Sequence, residues 1–345
     1  MAQTKSTRVT LTDVARKAGV SLSTASKVLN GRSDVADSTR QAIEQAFNDL
    51  GYVSRLDKKF SQGRRTVMVV LTHGVNAYAA KILEGIIAEA ESLDVEIIVA
   101  RASGPDHISP SALVQDIVSD GHLGVILITP SFSDEDADFF TRRRVPMAMV
   151  DPIDPIHDKG VSIGSTNWSG GFTITKYLLD QGHTRIGFVG GSKRSLVNQA
   201  RLSGYRAALE QAHVIFDEDL VTFGEFRYET GYQEGGDLLD REDRPTAIVA
   251  AADAAALGVM AAARERGLRL PEDLSVTGYD DTWVAEWAVP PLTTIHQPMH
   301  EMGETALRII IAESEGTPPT TRRVELNTEL VVRRSVAAPY ARVPD

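Results

Sequence analysis

The stretch from Thr12 to Asn30 reads TDVARKAGVSLSTASKVLN. Thr12 can cap a first helix, with Asp13 in its opening turn against the helix dipole, and Gly19 ends it. Two residues later Ser21 can cap a second helix whose Ala25, Val28 and Leu29 fall on one face, with Gly31 as its stop. Downstream, Asp37 or Ser38 can cap a third helix, in which Ile43, Ala46, Phe47 and Leu50 recur at helical spacing before Gly51. Two short helices joined by a glycine turn, with small polar side chains and a lysine facing outward, are what a helix-turn-helix needs to enter a DNA major groove. Ser23, Ser26 and Lys27 share the face opposite Val28, and Leu22 is placed to touch a thymine methyl. A plain helical hairpin would show the same apolar pattern, so spacing alone leaves both readings open.

Charge separates them further. The 345 residues carry a formal charge of −11, which on its face repels nucleic acid. Residues 1–65, however, hold 12 Lys/Arg against 6 Asp/Glu, a charge of +6, and the remainder is −17. A basic head on an acidic body implies two modules with different partners. Between them Ser54 to Thr66, with Arg55, Lys58, Lys59, Arg64 and Arg65 around one glycine, has too few apolar residues for a core and reads as a linker. The division that follows is a DNA-binding headpiece at 1–53, a hinge at 54–65 and a core at 66–345.

The core changes pattern. Short β-branched runs (Val67–Leu71, Val95–Ala100, Val125–Ile128, Pro146–Val150, Val161–Ile163, Ile186–Val189, Ala247–Ala250, Ser275–Tyr279) alternate with amphipathic stretches (Ala79–Ser92, Ser169–Gln181, Leu202–Ala212, Thr230–Leu239, Ala254–Arg266). That alternation implies βαβ units, an α/β fold of parallel sheets with helices on both faces. About 280 residues are long for one such sheet, so two lobes are expected. Their boundaries fall near 66–165 with 296–325, and 166–293 with 326–340. A ligand then belongs beyond the carboxyl ends of the strands.

Several classes are excluded or weakened. With no cysteine there is no disulfide framework, thiolate zinc site, iron–sulfur cluster or thiol nucleophile, as suits a reducing cytoplasm. No apolar run approaches the ~20 residues that span a bilayer, and Met1 to Arg8 lacks an export signal, so no membrane partner is expected. Gly160-Val161-Ser162-Ile163-Gly164 fits a hydrolase G-x-S-x-G, but Ser162 lies in an alternating run that reads as strand. His296 and His300 have helical metal spacing with Pro298 between them and no H-E-x-x-H pattern. The reading is of a protein that is not an enzyme and has no cofactor or metal. The tail from Ala338 to Asp345 carries no heptad for a coiled coil.

Residues Val9 to Ala15, Ala18 to Ser21, Thr24, Ser26 to Gly31, and Thr39-Arg40 through Leu50-Gly51-Tyr52 resemble the headpiece of the lactose-repressor (LacI/GalR) family of bacterial transcription regulators. The body resembles it too, in Gly182-His183 with Arg185-Ile186, Ala200-Arg201-Leu202 with Gly204-Tyr205, Gly278 to Asp281, and Pro290 to Ile295. The resemblance implies a homodimer reading a roughly palindromic double-stranded operator, and a two-lobed periplasmic-binding-protein-like core whose cleft takes a small effector. At matching positions Leu22, Ser23 and Lys27 would read bases, with Ser21, Ser26 and Asn30 supporting, and Thr10 and Tyr52 would contact phosphate. Lys27 stands where the family usually has Arg, which weakens bidentate reading of guanine. In the hinge Phe60 falls at the family's minor-groove leucine wedge, and Asp57, Lys58 and Lys59 replace the usual small residues. With Arg55, those lysines could hold phosphates; a basic tether with no fixed structure is the alternative.

For the effector, Arg201 and Asp280 match the family's second-lobe pair, and a guanidinium fork with a carboxylate suits adjacent hydroxyls. Phe226 aligns with an aromatic that covers the ligand; Tyr78, Arg101, Asp151, Asn167 and Trp168 are further cleft candidates. The family's effector-binding Asn before Asp253 is Ala252 here, so no known sugar specificity transfers directly. A carbohydrate effector is expected; a nucleobase-responsive regulator of the same family, or a sugar-binding transport protein without a DNA role, are the alternatives.

Overall fold

The computed structural model describes residues 10–29, 35–50, 65–72, 74–102, 109–154 and 160–339, in two units, Met1–Arg64 and Arg65–Asp345. In the first, α1 (Leu11–Lys17), α2 (Leu22–Leu29) and α3 (Asp37–Leu50) surround a core of Val14, Val28, Ile43 and Ala46. One cap differs from expectation. Thr10, not Thr12, caps α1: Asp13 N donates to Thr10 Oγ1 at 3.3 Å while Thr10 N donates back to Asp13 Oδ2 at 2.9 Å. Thr10 has an acceptor three residues on and Thr12 does not, so the reciprocal box selects the earlier start. The helix α3 begins at Asp37, with Ser38 in its first turn. Lys17 Nζ on Asp49 Oδ2 at 2.7 Å ties α1 to α3.

The second unit has two parallel sheets. The larger joins β1 (Arg65–Leu71), β2 (Val95–Arg101), β3 (Val125–Ile128), β4 (Met147–Val150), β5 (Val161–Ser165) and β11 (Arg323–Leu326) in the order β11-β5-β4-β3-β1-β2. The strands β3 and β4 are buried at every position, as central parallel strands covered on both faces must be. The smaller sheet orders β6 (Ile186–Gly190), β7 (Val221–Phe223), β8 (Ala247–Ala250) and β9 (Ser275–Thr277) as β7-β6-β8-β9. A short antiparallel pair, β10 (Thr294–His296) with β12 (Glu329–Val331), belongs to neither.

Around the first sheet lie α4 (Ala77–Leu93), α5 (Pro110–Asp120), α6 (Asp134–Arg143) and α12 (Met299–Ser314); around the second, α7 (Asn167–Asp180), α8 (Leu196–Gln211), α9 (Tyr228–Leu239), α10 (Asp253–Glu265) and the short α11 (Trp283–Trp287). The apolar cores fall accordingly, one set around Val67, Ile126 and Ile310, another around Phe188, Ile248 and Val276. The helix α8 starts at Leu196, six residues before the expected Leu202, because Ser195 caps it there by accepting from Asn198 N at 3.4 Å. Ser162 sits inside β5, its N–H donating to Arg322 O at 2.8 Å, and forms no nucleophile elbow. His296 faces Asp281 and His300 faces Glu304, so the two histidines do not converge. The Gly182-His183 motif is structural: His183 is buried between Thr246 and Ser275 and holds Ala337 O at 2.9 Å, which pins the C-terminal segment to the second lobe. No helix among the described residues is long and apolar enough to cross a membrane.

Candidate functional site

In the head, the outer face of α2 is built as the sequence suggests. Ser21 Oγ accepts from Thr24 N at 3.1 Å and lies 2.8 Å from both Ser23 Oγ and Thr24 Oγ1, which fixes the helix start. Ala25 and Val28 turn inward, while Ser23 and Lys27 are exposed, Ser26 is half-buried, and Leu22 leaves 49% of its surface open. An apolar side chain exposed at the tip of a recognition-type helix has a use against bases and none in the core. Thr10 is exposed but spends its side chain on the α1 cap. Asn30, Tyr52, Arg55, Lys58, Lys59 and Phe60 lie outside the described residues, as do Gly31 and Gly51.

In the core, the carboxyl ends of both sheets meet around Arg201. It projects from α8, is 3% exposed, donates from Nε to Asn167 Oδ1 at 2.8 Å and from Nη1 to Ala251 O, and lies 3.8 Å from Asp280 Oδ1. Its guanidinium stacks 3.6 Å from the centroid of the Tyr279 ring, with the Phe226 ring 5.4 Å away. Desolvated cation–π contacts of this kind contribute about 2 kcal/mol or more. Arg201 reaches this position because α7 and α8 touch backbone to backbone: a Cβ on Gly204 would sit 2.1 Å from Trp168 O, and one on Gly171 2.2 Å from Arg201 O. Gly204→Ala is therefore expected to cost about 1–3 kcal/mol by overpacking. It should also weaken effector binding by displacing Arg201 from Asn167, which thermal melts with and without ligand will show.

Asp280 follows β9 with φ of +118°, a conformation a side chain rarely adopts, held by Asp280 N to Ile295 O at 2.8 Å and Gln297 N to Asp280 O at 3.3 Å. Gln297 bridges the lobes' connection, accepting from Ser165 Oγ at 2.6 Å and donating Nε2 to Asp280 Oδ1 at 2.7 Å. From the first lobe comes Asp151, just past β4, 6% exposed, with φ of +45° and Tyr78 OH donating to it at 2.5 Å. Two contacts join the lobes nearby, Leu196 N to Ile153 O at 3.1 Å and Arg194 Nη2 to Asp154 Oδ1 at 3.1 Å.

Of the expected effector residues, Tyr78, Asp151, Asn167, Arg201, Phe226 and Asp280 thus converge. Trp168 is 47% exposed and stacks on Phe172 at 5.3 Å rather than on Arg201, and Arg101 is exposed at the end of the edge strand β2. Asp253 is a scaffold: it accepts from Thr282 N at 2.8 Å, Thr282 Oγ1 at 3.1 Å and Thr294 Oγ1 at 2.6 Å. Ala252 is buried beside it. Sequence reasoning missed Tyr279 and Gln297 as cleft residues; Tyr279 lies inside the quoted Gly278–Asp281 motif, but Gln297 carries no local signal.

Burial pushes Asp280 up to about 6 from 3.8, with Arg201 and Gln297 opposing and Asp151 adding to the rise. The folded chain therefore holds a proton between about pH 4 and 6 that the unfolded chain has lost, so this group's contribution is present below the unfolded value and disappears as pH rises through the folded one. The difference is about 3 kcal/mol. Asp280→Asn should gain stability relative to wild type between pH 4.5 and 7, measured by urea melts at both; parallel pH profiles would contradict it. Asp151, Asp253, Arg201 and Tyr78 face the same space and remain in both proteins.

A head of three helices with an exposed second helix, on a two-lobed core with a charged cleft, defines a ligand-responsive DNA-binding protein. Residues 10–54 match the family described as bacterial regulatory proteins, lacI family, and residues 175–336 match a periplasmic binding protein-like domain. The HTH-type transcriptional regulator DegA of Bacillus subtilis (strain 168) is 33% identical over 96% of this chain and 98% of its own. The HTH-type transcriptional repressor PurR of Vibrio campbellii (strain ATCC BAA-1116) is 30% identical over 95% and 98%. Among solved structures, a transcriptional regulator CelR–cellobiose complex superposes with a TM-score of 0.72 at 32% identity, over 95% of this chain and 100% of the other. A lac repressor dimer bound to operator and the anti-inducer ONPF gives 0.70 at 28%, over 96% and 100%. The chain belongs to the LacI family and is a DNA-binding transcriptional regulator.

Proposed function

We propose that this protein is a cytoplasmic, homodimeric repressor that binds a roughly palindromic operator and is controlled by a carbohydrate held between its core lobes. The observation that carries the effector class is the Arg201–Asp280 pair framed by Phe226 and Tyr279: a guanidinium and a carboxylate beside aromatic faces suit vicinal hydroxyls on an apolar ring. The similarity to a cellobiose complex supports the same class. Similarity to PurR repressors supports a nucleobase as the second reading. The edge strand β2 exposes Ile98 and Val99, 40% and 49% open, which supports a partner subunit along that edge. In the head, Leu22, Ser23 and Lys27 read bases, with Ser26 and Asn30 supporting. Tyr52 with the basic hinge, Arg55, Lys58 and Lys59, meets phosphates, and Phe60 enters the minor groove; Thr10, expected to join them, is committed to the α1 cap.

The mechanism is a population shift. Ligand favours one arrangement of the lobes, the core dimer changes geometry, and the two heads lose or gain the spacing that fits both half-sites. A thermal-shift screen of mono- and disaccharides against nucleobases, with Asp280→Ala in parallel, tests it. A sugar that raises the melting temperature of wild type and not of the variant is the expected result. A nucleobase that does so in place of any sugar would replace the carbohydrate reading.

A further inference from the structure

Among the described residues, four formally charged side chains are buried: Asp151, Arg201, Asp253 and Asp280. All four lie at the cleft, three carboxylates against one guanidinium. Asp253 accepts three hydrogen bonds from Thr282 and Thr294. Asp280 takes the Gln297 amide and faces Arg201. Asp151 arrives from the opposite lobe, with Tyr78 as hydrogen-bond donor, and the cation that acts on it is the same Arg201. Two carboxylates from opposite lobes thus share one guanidinium, two of whose five N–H donors serve Asn167 and Ala251.

The cations of the nearby loop are used elsewhere: Lys193 Nζ lies 4.7 Å over the Phe223 ring, and Arg194 reaches Asp154. Burial raises both Asp151 and Asp280, and neighbouring carboxylates add to it: Glu325 acts on Asp151, Asp151 on Asp280, and Asp280 on Tyr78. The cleft therefore has an unmet demand for positive charge or hydrogen-bond donors. An effector that brings hydroxyl or ammonium groups between Asp151 and Asp280 meets it. One that brings a phosphate or carboxylate places a third anion beside two in a medium where like charges are poorly screened.

We infer that Asp151 is a charge filter: with Asp280 across the cleft it admits effectors that present hydroxyl or ammonium donors and rejects sugars that carry phosphate or carboxylate. This rests on the carbohydrate reading above. The test is isothermal titration calorimetry of the full chain, wild type and Asp151→Asn, against paired probes: cellobiose, trehalose, maltose and sucrose, each beside its 6-phosphate. The expected result is a neutral sugar binding wild type at least tenfold more tightly than its phosphate, with that ratio narrowed at least fivefold in Asp151→Asn.

A residue that merely orients Tyr78 would weaken both members of a pair equally and leave the ratio unchanged, which would overturn the proposal. So would a phosphate binding wild type as tightly as its neutral partner, a result that needs no variant and leaves the carbohydrate reading standing. If no probe binds, the carbohydrate reading fails and this inference fails with it.

Discussion

Arg201→Ala is expected to destabilise the core by about 3–5 kcal/mol, the usual consequence of removing one member of a buried ion pair, and to abolish the effector response. The side chain is 3% exposed and answers four groups at once: Asn167 Oδ1, Ala251 O, Asp280 and the Tyr279 ring. Truncation leaves two buried acceptors unpaired and leaves Asp280 and Asp151 without their cation. Lowering the pH should recover part of the loss, because both carboxyls already lie above their usual range and protonate readily once the guanidinium is gone. Urea unfolding at pH 7 and pH 5 measures both effects. A loss below 1 kcal/mol at pH 7, or one that deepens at pH 5, would mean that Arg201 does not hold this cleft together.

Ile43→Ala should disable DNA binding while leaving the cleft intact. The described core of the head rests on Val14, Val28, Ile43 and Ala46, with Leu11, Ala18, Val20 and Val35 partly covered around them, and Ile43 is fully buried. Truncating a buried Ile costs about 2–5 kcal/mol, comparable with the whole stability of a unit this small. The variant is expected to lose operator affinity at least a hundredfold and to bind its effector as wild type does. Fluorescence anisotropy on operator DNA, paired with calorimetry on the effector, reads the two separately. Operator affinity within threefold of wild type would show that α3 is not needed to present α2.

Most of this architecture is legible where a run of residues meets one demand. Val125–Ile128 and Ala247–Ala250 coincide with their strands because uninterrupted apolar runs have one place to go, the middle of a parallel sheet. Ala25 and Val28 mark the inner face of α2 for a similar reason, and Ser21 marks its start. The failures are of two kinds. Thr10 and Thr12 both look like caps, and only the partner three residues on decides between them; α8 begins at Leu196-Val197, two adjacent apolar residues that mark no helical face by spacing. The cleft is the other kind, since Ser165 and Gln297 are 132 positions apart and meet through a single amide. Arg201, Asp280 and Phe226 came into view through resemblance to known regulators rather than through their own spacing. Tyr279, stacked on Arg201, and Gln297 had no such pointer to a role.

In the proposed mechanism a ligand held between Asp151, Arg201 and Asp280 controls how tightly the heads hold DNA. The direct test is the affinity of the whole chain for an operator selected from a random DNA pool, measured with and without a saturating sugar that shifts its melting temperature, in wild type and in Asp280→Ala. A change of at least tenfold in wild type, absent from the variant, is the predicted result. Affinity that is unchanged by a sugar shown to fill the cleft would contradict it.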